Sequence, residues 1–310
     1  MLDSIQGIHH ITAMARDAAR TDGFFTRVLG LRRVKKTVNF DAPDVYHLYY
    51  ANGSGQPGTV LTYFPFPNIA RGTRGAGEVS TTVFSVPEGS LAFWEKHLAA
   101  NTVSGVRRGT YLGEARLYFD GPDGDGFALA EAAEDTRAPW QAAGIPDEHA
   151  IRGFHSAKLT LQELGPTADL LQLMGFREGA REGGMHRLVR PDGNGAAIID
   201  LESDPAAAPA RQGAGSVHHI AFAVADAAAQ KVVREALVAE GFGVTPVIDR
   251  DYFLSIYFRE PGGVLFEIAT NEPGFARDED PAHLGEALKL PEQHAHLRAH
   301  LEKHLPPIGD

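Results

Sequence analysis

Cysteine is absent from all 310 residues. That excludes disulfides, iron–sulfur clusters, thiolate zinc sites and cysteine nucleophiles together. Any metal must be held by His, Asp or Glu, donors that suit Fe(II), Mn(II), Zn(II) or Ni(II). Long apolar runs are missing too, none approaching the ~20 residues that span a bilayer. The opening Met1-Leu2-Asp3-Ser4 has neither the basic start nor the apolar stretch of a signal peptide. A cytoplasmic protein that engages no membrane is expected. Positive charge is scarce, with a formal net charge of -11, whereas nucleic-acid binders neutralise phosphates with basic stripes. The densest basic group, Arg32, Arg33, Lys35 and Lys36, reads as an exposed element after the first helix, so no nucleic-acid partner is expected. There is no Gly-x-Ser-x-Gly elbow for serine hydrolysis. Gly72 to Gly77, with Arg71 and Arg74, lacks the Lys-Ser/Thr of a phosphate cradle.

What is present is a module repeated four times, each copy reading as βαβββ with a Pro/Asp/Gly turn before its last strand. The first runs from Gly7-Ile8-His9-His10-Ile11-Thr12, through a helix around Phe24 to Leu29, to Thr59–Tyr63. The second opens at Val79–Val83, has a helix over Leu91–Leu98 and ends with Phe127–Glu131. The third opens at Gly153–Ser156, has a helix near Ala168–Met174 and ends with Ala197–Asp200. The fourth opens at Ser216–Val224. There Asp226 caps a helix over Ala227–Ala239 that Gly241 closes, and strands follow at Val244–Ile248, Phe253–Phe258 and Val264–Ile268. The fold expected is α+β: four βαβββ modules in two tandem pairs, residues 1–137 and 151–272. Residues 138–150 form a linker, and 273–310 a polar, partly helical tail. Consecutive terminal strands argue against a doubly wound α/β fold.

Aligned on their turns, modules one and four each carry a His-His pair on the first strand, His9-His10 and His218-His219. Module four places Glu267 in an otherwise apolar last strand, where a carboxylate is costly to bury without a cation or strong donors. Two imidazoles and a carboxylate, His10, His219 and Glu267, are the makings of a facial triad that leaves half an octahedron open. Modules two and three have Thr81 and Ser156 at the histidine positions, so one metal site is expected, in a cup shared by modules one and four. His155, Asp200 and Glu131 fall outside the ligand register. The tail histidines His296, His300 and His304 read as the wet side of a helix whose Leu297, Leu301 and Leu305 face inward.

The modules and the His/His/Glu set resemble the vicinal oxygen chelate superfamily, which includes glyoxalase I, extradiol catechol dioxygenases and bleomycin-resistance proteins. Tyr46-His47-Leu48-Tyr49-Tyr50, Arg152-Gly153-Phe154-His155-Ser156, Pro261-Gly262-Gly263-Val264-Leu265-Phe266-Glu267 and Pro273-Gly274-Phe275 resemble its hydroquinone ring-cleaving branch, over almost the whole chain. The resemblance implies Fe(II), with Mn(II) as a substitute, held by His10, His219 and Glu267. It implies a small aromatic substrate and dioxygen as partners, and allows a homo-oligomer. Roles carried over from that branch fall on His218, Tyr257 and Arg250 for catalysis and on His9 and Thr12 for substrate binding. Thr12 shares the metal face of its strand with His10. His9 and His218 would point away unless the strand twists or bulges. Arg250, in Asp249-Arg250-Asp251, reads equally as a solvated charge. Pocket-wall aromatics are sought among Phe64, Phe66 and Phe253.

Two other functions stay open. Glyoxalase-type isomerases use a second glutamate; counting from Pro57 as from Pro261 puts Tyr63 there, which argues against them. A non-catalytic small-molecule-binding protein of the same fold has little use for a redox triad.

Overall fold

The computed structural model describes residues 2–309. Module one supplies β1 (Ile8–Ala15), α1 (Ala18–Gly23), β2 (Arg32–Val38), β3 (Tyr46–Ala51) and β4 (Val60–Pro65). Module two supplies β5 (Glu78–Val86), α2 (Leu91–Ala100), β6 (Arg107–Tyr111), β7 (Glu114–Asp120) and β8 (Gly126–Glu131). Module three supplies β9 (Gly153–Leu161), α3 (Gly165–Leu173), β10 (Arg177–Glu182), β11 (Met185–Val189) and β12 (Ile198–Ser203). Module four supplies β13 (Val217–Val224), α4 (Ala227–Ala239), β14 (Ile248–Asp249), β15 (Phe253–Arg259) and β16 (Leu265–Pro273).

Local chemistry explains these boundaries. Asp226 accepts a hydrogen bond from the Ala229 N–H and so caps α4, while Gly241, at φ 89°, follows its end. The first-module helix is shorter and continues as a π-helical turn over Phe24–Val28. The strand expected over Val244–Ile248 shrinks to Ile248–Asp249, because Pro246 has no N–H to give a ladder.

The strands form two eight-stranded sheets, ordered β14-β15-β16-β13-β1-β4-β3-β2 and β10-β11-β12-β9-β5-β8-β7-β6. Modules one and four thus join through the antiparallel β1–β13 pair, and modules two and three through β5–β9. The chain crosses between sheets twice, and the two crossings are knitted by bridges Arg71–Ala214, Thr73–Arg211 and Ala76–Pro209. The largest apolar core draws on all four modules, with Phe25, Trp94, Phe154, Leu171 and Phe222 among its members.

The basic cluster after the first helix is not an exposed element. It forms β2, which the C-terminal tail covers. Lys35 is fully buried, with Asp278 at 2.6 Å and Glu279 also in contact. Arg32 donates to the carbonyls of Gly53, Pro281 and Ala282. The tail ends in α5 (Arg298–His304), with Leu301 and Leu305 buried and His296, His300 and His304 exposed. Among the described residues no helix is long and apolar enough to cross a membrane.

Candidate metal centre

Each central strand of the first sheet carries one extra residue. The β1–β13 register slips at His9 and again at His218, and such bulges re-aim side chains. Consecutive histidines thereby turn toward one another instead of alternating: His9 Nδ1 lies 2.9 Å from His10 Nδ1, and His218 Nδ1 lies 2.8 Å from His219 Nδ1. The outer nitrogens of His10 and His219 converge. Their Nε2 atoms are 3.3 Å apart, and Glu267 Oε2 lies 3.3 Å from the first and 2.9 Å from the second. Three donors at right angles, ~2.1 Å from one ion, sit ~3.0 Å apart. Glu267 is fully buried, yet Oε2 has no aligned hydrogen-bond partner, while Oε1 accepts from the Ser255 hydroxyl at 2.5 Å. Close approach without hydrogen-bond alignment is what donors aimed at a shared point show. These residues, the one such cluster among the described residues, fit a metal ion.

Protonation agrees. Burial alone would raise the Glu267 carboxyl, but His10 and His219 hold it well below the usual carboxylate range. Burial lowers His219 below an ordinary imidazole. A metal-binding nitrogen offers a lone pair, so His10 and His219 keep their hydrogens on Nδ1 and give them to His9 and His218. Burial first, then the adjacent histidine, pushes His9 down to about 3 and His218 to about 4. Both are therefore neutral acceptors at neutral pH.

His10 and His219 line a cavity of about 450 Å³, with Glu267 buried behind them. Phe64, Phe66 and Phe253 are among its walls, as are His218, Tyr257 and Arg250. Tyr257 stands directly opposite Glu267 in the β15–β16 register, and burial together with that carboxylate raises its phenol, which stays protonated. Arg250 is no free surface charge: its guanidinium sits 5.7 Å from the Tyr257 ring and 5.4 Å from Phe40. His9 lies behind His10, against Phe253, rather than on the cavity wall. Thr12 is buried opposite His219 and accepts a hydrogen bond from Thr62 at 2.9 Å. Ser255, His47 and Tyr49 belong to the site and were missed from sequence; the period-two alternation of Tyr46–Tyr50, which puts 47 and 49 on one face, was the available signal.

A profile of the glyoxalase/bleomycin resistance protein/dioxygenase superfamily matches residues 7–129 and 87–268. The chain belongs to this superfamily. A relative from Bacillus subtilis (strain 168), named ring-cleaving dioxygenase MhqO, is 42% identical over 99% of this chain and 98% of its own. A chlorohydroquinone/hydroquinone 1,2-dioxygenase from Sphingobium indicum is 38% identical, over 94% and 93%. A crystal structure of a B. subtilis dioxygenase superposes with TM-score 0.95 at 41% identity, covering 99% of this chain and 98% of that one. Glyoxalase I from Zea mays, at TM-score 0.62 and 13% identity over 86% and 92%, shares the fold.

In this superfamily member the module repeat explains how many ligands there are. Glu267 pairs with Ala221, two residues after His219; in module one Thr62 pairs with Thr12, two residues after His10. The counterpart of Glu267 is therefore Thr62, not Tyr63. Tyr63 donates instead to Asp125 at 2.8 Å. The turn before β4 is one residue out of step with that before β16, which misled the count from proline. The conclusion survives, because Thr62 is no carboxylate either. By the same register Asp200 pairs with Lys158, two residues after Ser156, so it does match Glu267, contrary to the sequence reading. Its partners are guanidinium groups: Arg116 at 2.7 Å and Arg187 at 2.7 Å. His155 Nε2 reaches Glu114 at 3.0 Å, and Glu131 receives the Leu91 N–H at 3.0 Å. Arginine occupies the second cup where the first gathers three metal-binding donors.

Proposed function

We propose that this chain is an Fe(II)-dependent dioxygenase that opens the ring of a hydroquinone. The observation that carries the reading is a three-donor set with Thr62 in the fourth place, two of its donors facing an aromatic-walled cavity with room for a substituted ring. His10, His219 and Glu267 hold the iron; Mn(II) suits the same donors. When bound, the iron supplies open positions for one diol oxygen and for dioxygen, and a path for electrons from ring to oxygen.

The remaining chemistry belongs to the side chains. Phe64, Phe66 and Phe253 sandwich the ring and exclude water. His218 is neutral and faces the cavity; its Nδ1 is engaged by the His219 hydrogen, so it donates its Nε2–H to an oxygen of the substrate. Tyr257 donates a hydrogen bond, and Arg250 stabilises negative charge on the diol oxygens. His9 fixes the His10 ring, and Thr12 offers its hydroxyl beside the triad. All electrons taken up by dioxygen come from the ring, so no nicotinamide is required.

Metal analysis with a diol panel tests this reading. Near-stoichiometric iron and hydroquinone-dependent oxygen uptake support it. A preference for catechols would move the chain to the extradiol catechol enzymes, and oxygen-independent isomerisation of a glutathione hemithioacetal would make it an isomerase. Binding of aromatics with no metal retained would make it a sequestering protein.

A further inference from the structure

Thr62, standing where Glu267 has its counterpart, is not left idle. Its hydroxyl is 2.9 Å from Thr12 Oγ1 and 2.8 Å from His47 Nε2, and His47 Nδ1 is 2.8 Å from the Tyr49 hydroxyl. All four residues are buried. The repeat supports a purpose for this chain of contacts. Tyr49 pairs with Thr62 as Tyr257 pairs with Glu267. His47, two residues earlier, corresponds to Ser255, which steadies Glu267. Module four thus spends its support on a metal-facing carboxylate, while module one applies the same support to a hydroxyl.

Each link has one hydrogen to give, so with every inner link donating to one neighbour and accepting from the other the chain runs in one of two directions. In one, the spare hydrogen is on Tyr49, among the rings of Tyr252 and Phe275, where no acceptor meets it. In the other, Tyr49 donates to His47, His47 Nε2–H to Thr62, and Thr62 to Thr12. The spare hydrogen is then on Thr12, beside His219 on the neighbouring strand. Either end leaves a buried hydrogen with no acceptor among the described residues, but only the Thr12 end stands beside a metal-binding histidine, where an oxygen bound at the centre can accept it.

We propose that Tyr49, His47 and Thr62 form a directed hydrogen-bond relay that aims the Thr12 hydroxyl hydrogen at the oxygen occupying the open side of the centre. His47 and Tyr49 are therefore positioning residues. This inference rests on the ring-opening function above. It concerns the orientation of one donor, and no net proton is consumed.

Two measurements test it. The first needs no turnover: nitrogen NMR of 15N-histidine-labelled protein, metal-free and zinc-loaded, with His47→Gln assigning the resonance. His47 should carry its proton on Nε2 alone, and Tyr49→Phe should shift the bare Nδ1. A proton on Nδ1, or an Nδ1 signal indifferent to Tyr49→Phe, overturns the relay. The second is a double-mutant cycle in iron-loaded enzyme. Tyr49→Phe and His47→Phe should each lower kcat by ~10-fold, the scale of one hydrogen bond. KM and iron content should stay within about twofold, His47→Gln should recover part of the loss by restoring a donor to Thr62, and both effects should vanish in a Thr12→Val background. Additive effects would overturn the relay. If wild-type protein takes up no oxygen with any hydroquinone, the functional reading fails, and the nitrogen shifts still decide the relay.

Discussion

Glu267 sits in β16 with apolar neighbours, and its two oxygens have different partners: Ser255 on Oε1, the two imidazoles around Oε2. Glu267→Gln replaces an anionic donor with a poorer neutral one, and one of three protein ligands cannot be spared. The variant should lose bound iron and oxygen uptake while its circular dichroism stays unchanged; full activity in an iron-loaded Glu267→Gln protein would refute the assignment. Ser255→Ala removes the support and leaves the ligand, so iron affinity should fall by roughly 10–100-fold, measured by competition with a chelator. The triad was legible in the sequence because its histidines recur at equivalent places in two modules and because a carboxylate stands out in Val264–Ile268. Ser255, His47 and Tyr49 were not, since a serine or tyrosine in an alternating strand looks the same whether or not it meets a partner. The bulges at His9 and His218 were equally hidden, because a bulge belongs to a strand pair and not to one strand.

Among the elements, α4 was legible to the residue because Asp226 and Gly241 mark both ends chemically, while β14 was not because Pro246 cancels an apolar pattern. β7, β9, β11 and β12 bring a second set of charges together. Burial alone would raise the Glu114 carboxyl, but His155, Arg187 and Arg116 hold it far below the usual range. A carboxyl so depressed in the folded state contributes stability above its unfolded value of about 4.5, and loses it as pH falls toward the folded value. Thermal unfolding of metal-free protein should therefore drop more steeply below about pH 4.5 than that of Glu114→Gln. Identical acid limbs would show that the second cup's ion pairs do not couple to folding. Asp200 was misplaced in the sequence reading because register is a property of the paired sheet: β9 and β12 must be laid side by side before Asp200 and Glu267 coincide.

Across the whole molecule, the first sheet joins the two ends of the sequence, so the centre exists only when module one and module four meet. The C-terminal tail packs against that sheet and bridges to its edge strand at Lys36–Leu288. Phe275 packs 5.1 Å from Tyr49 and 5.5 Å from Tyr252, ring to ring, and Lys35 ties the tail through Asp278 and Glu279. Lys35→Met leaves buried Glu279 without its cation, a loss of roughly 3 kcal/mol expected in denaturant unfolding, together with faster proteolysis within the tail. An unchanged midpoint would mean that the tail rests on its apolar contacts alone. The sequence showed the modules, but not that the tail closes over β2, because burial of a lysine leaves no periodic trace. The central claim is that both atoms of one dioxygen enter one opened ring at this centre. Labelled dioxygen, given to iron-loaded protein with a hydroquinone, should leave both heavy atoms in the ring-opened acid with one dioxygen consumed per ring, before any exchange of the aldehyde oxygen with water. A single labelled atom, or turnover without oxygen, would contradict it.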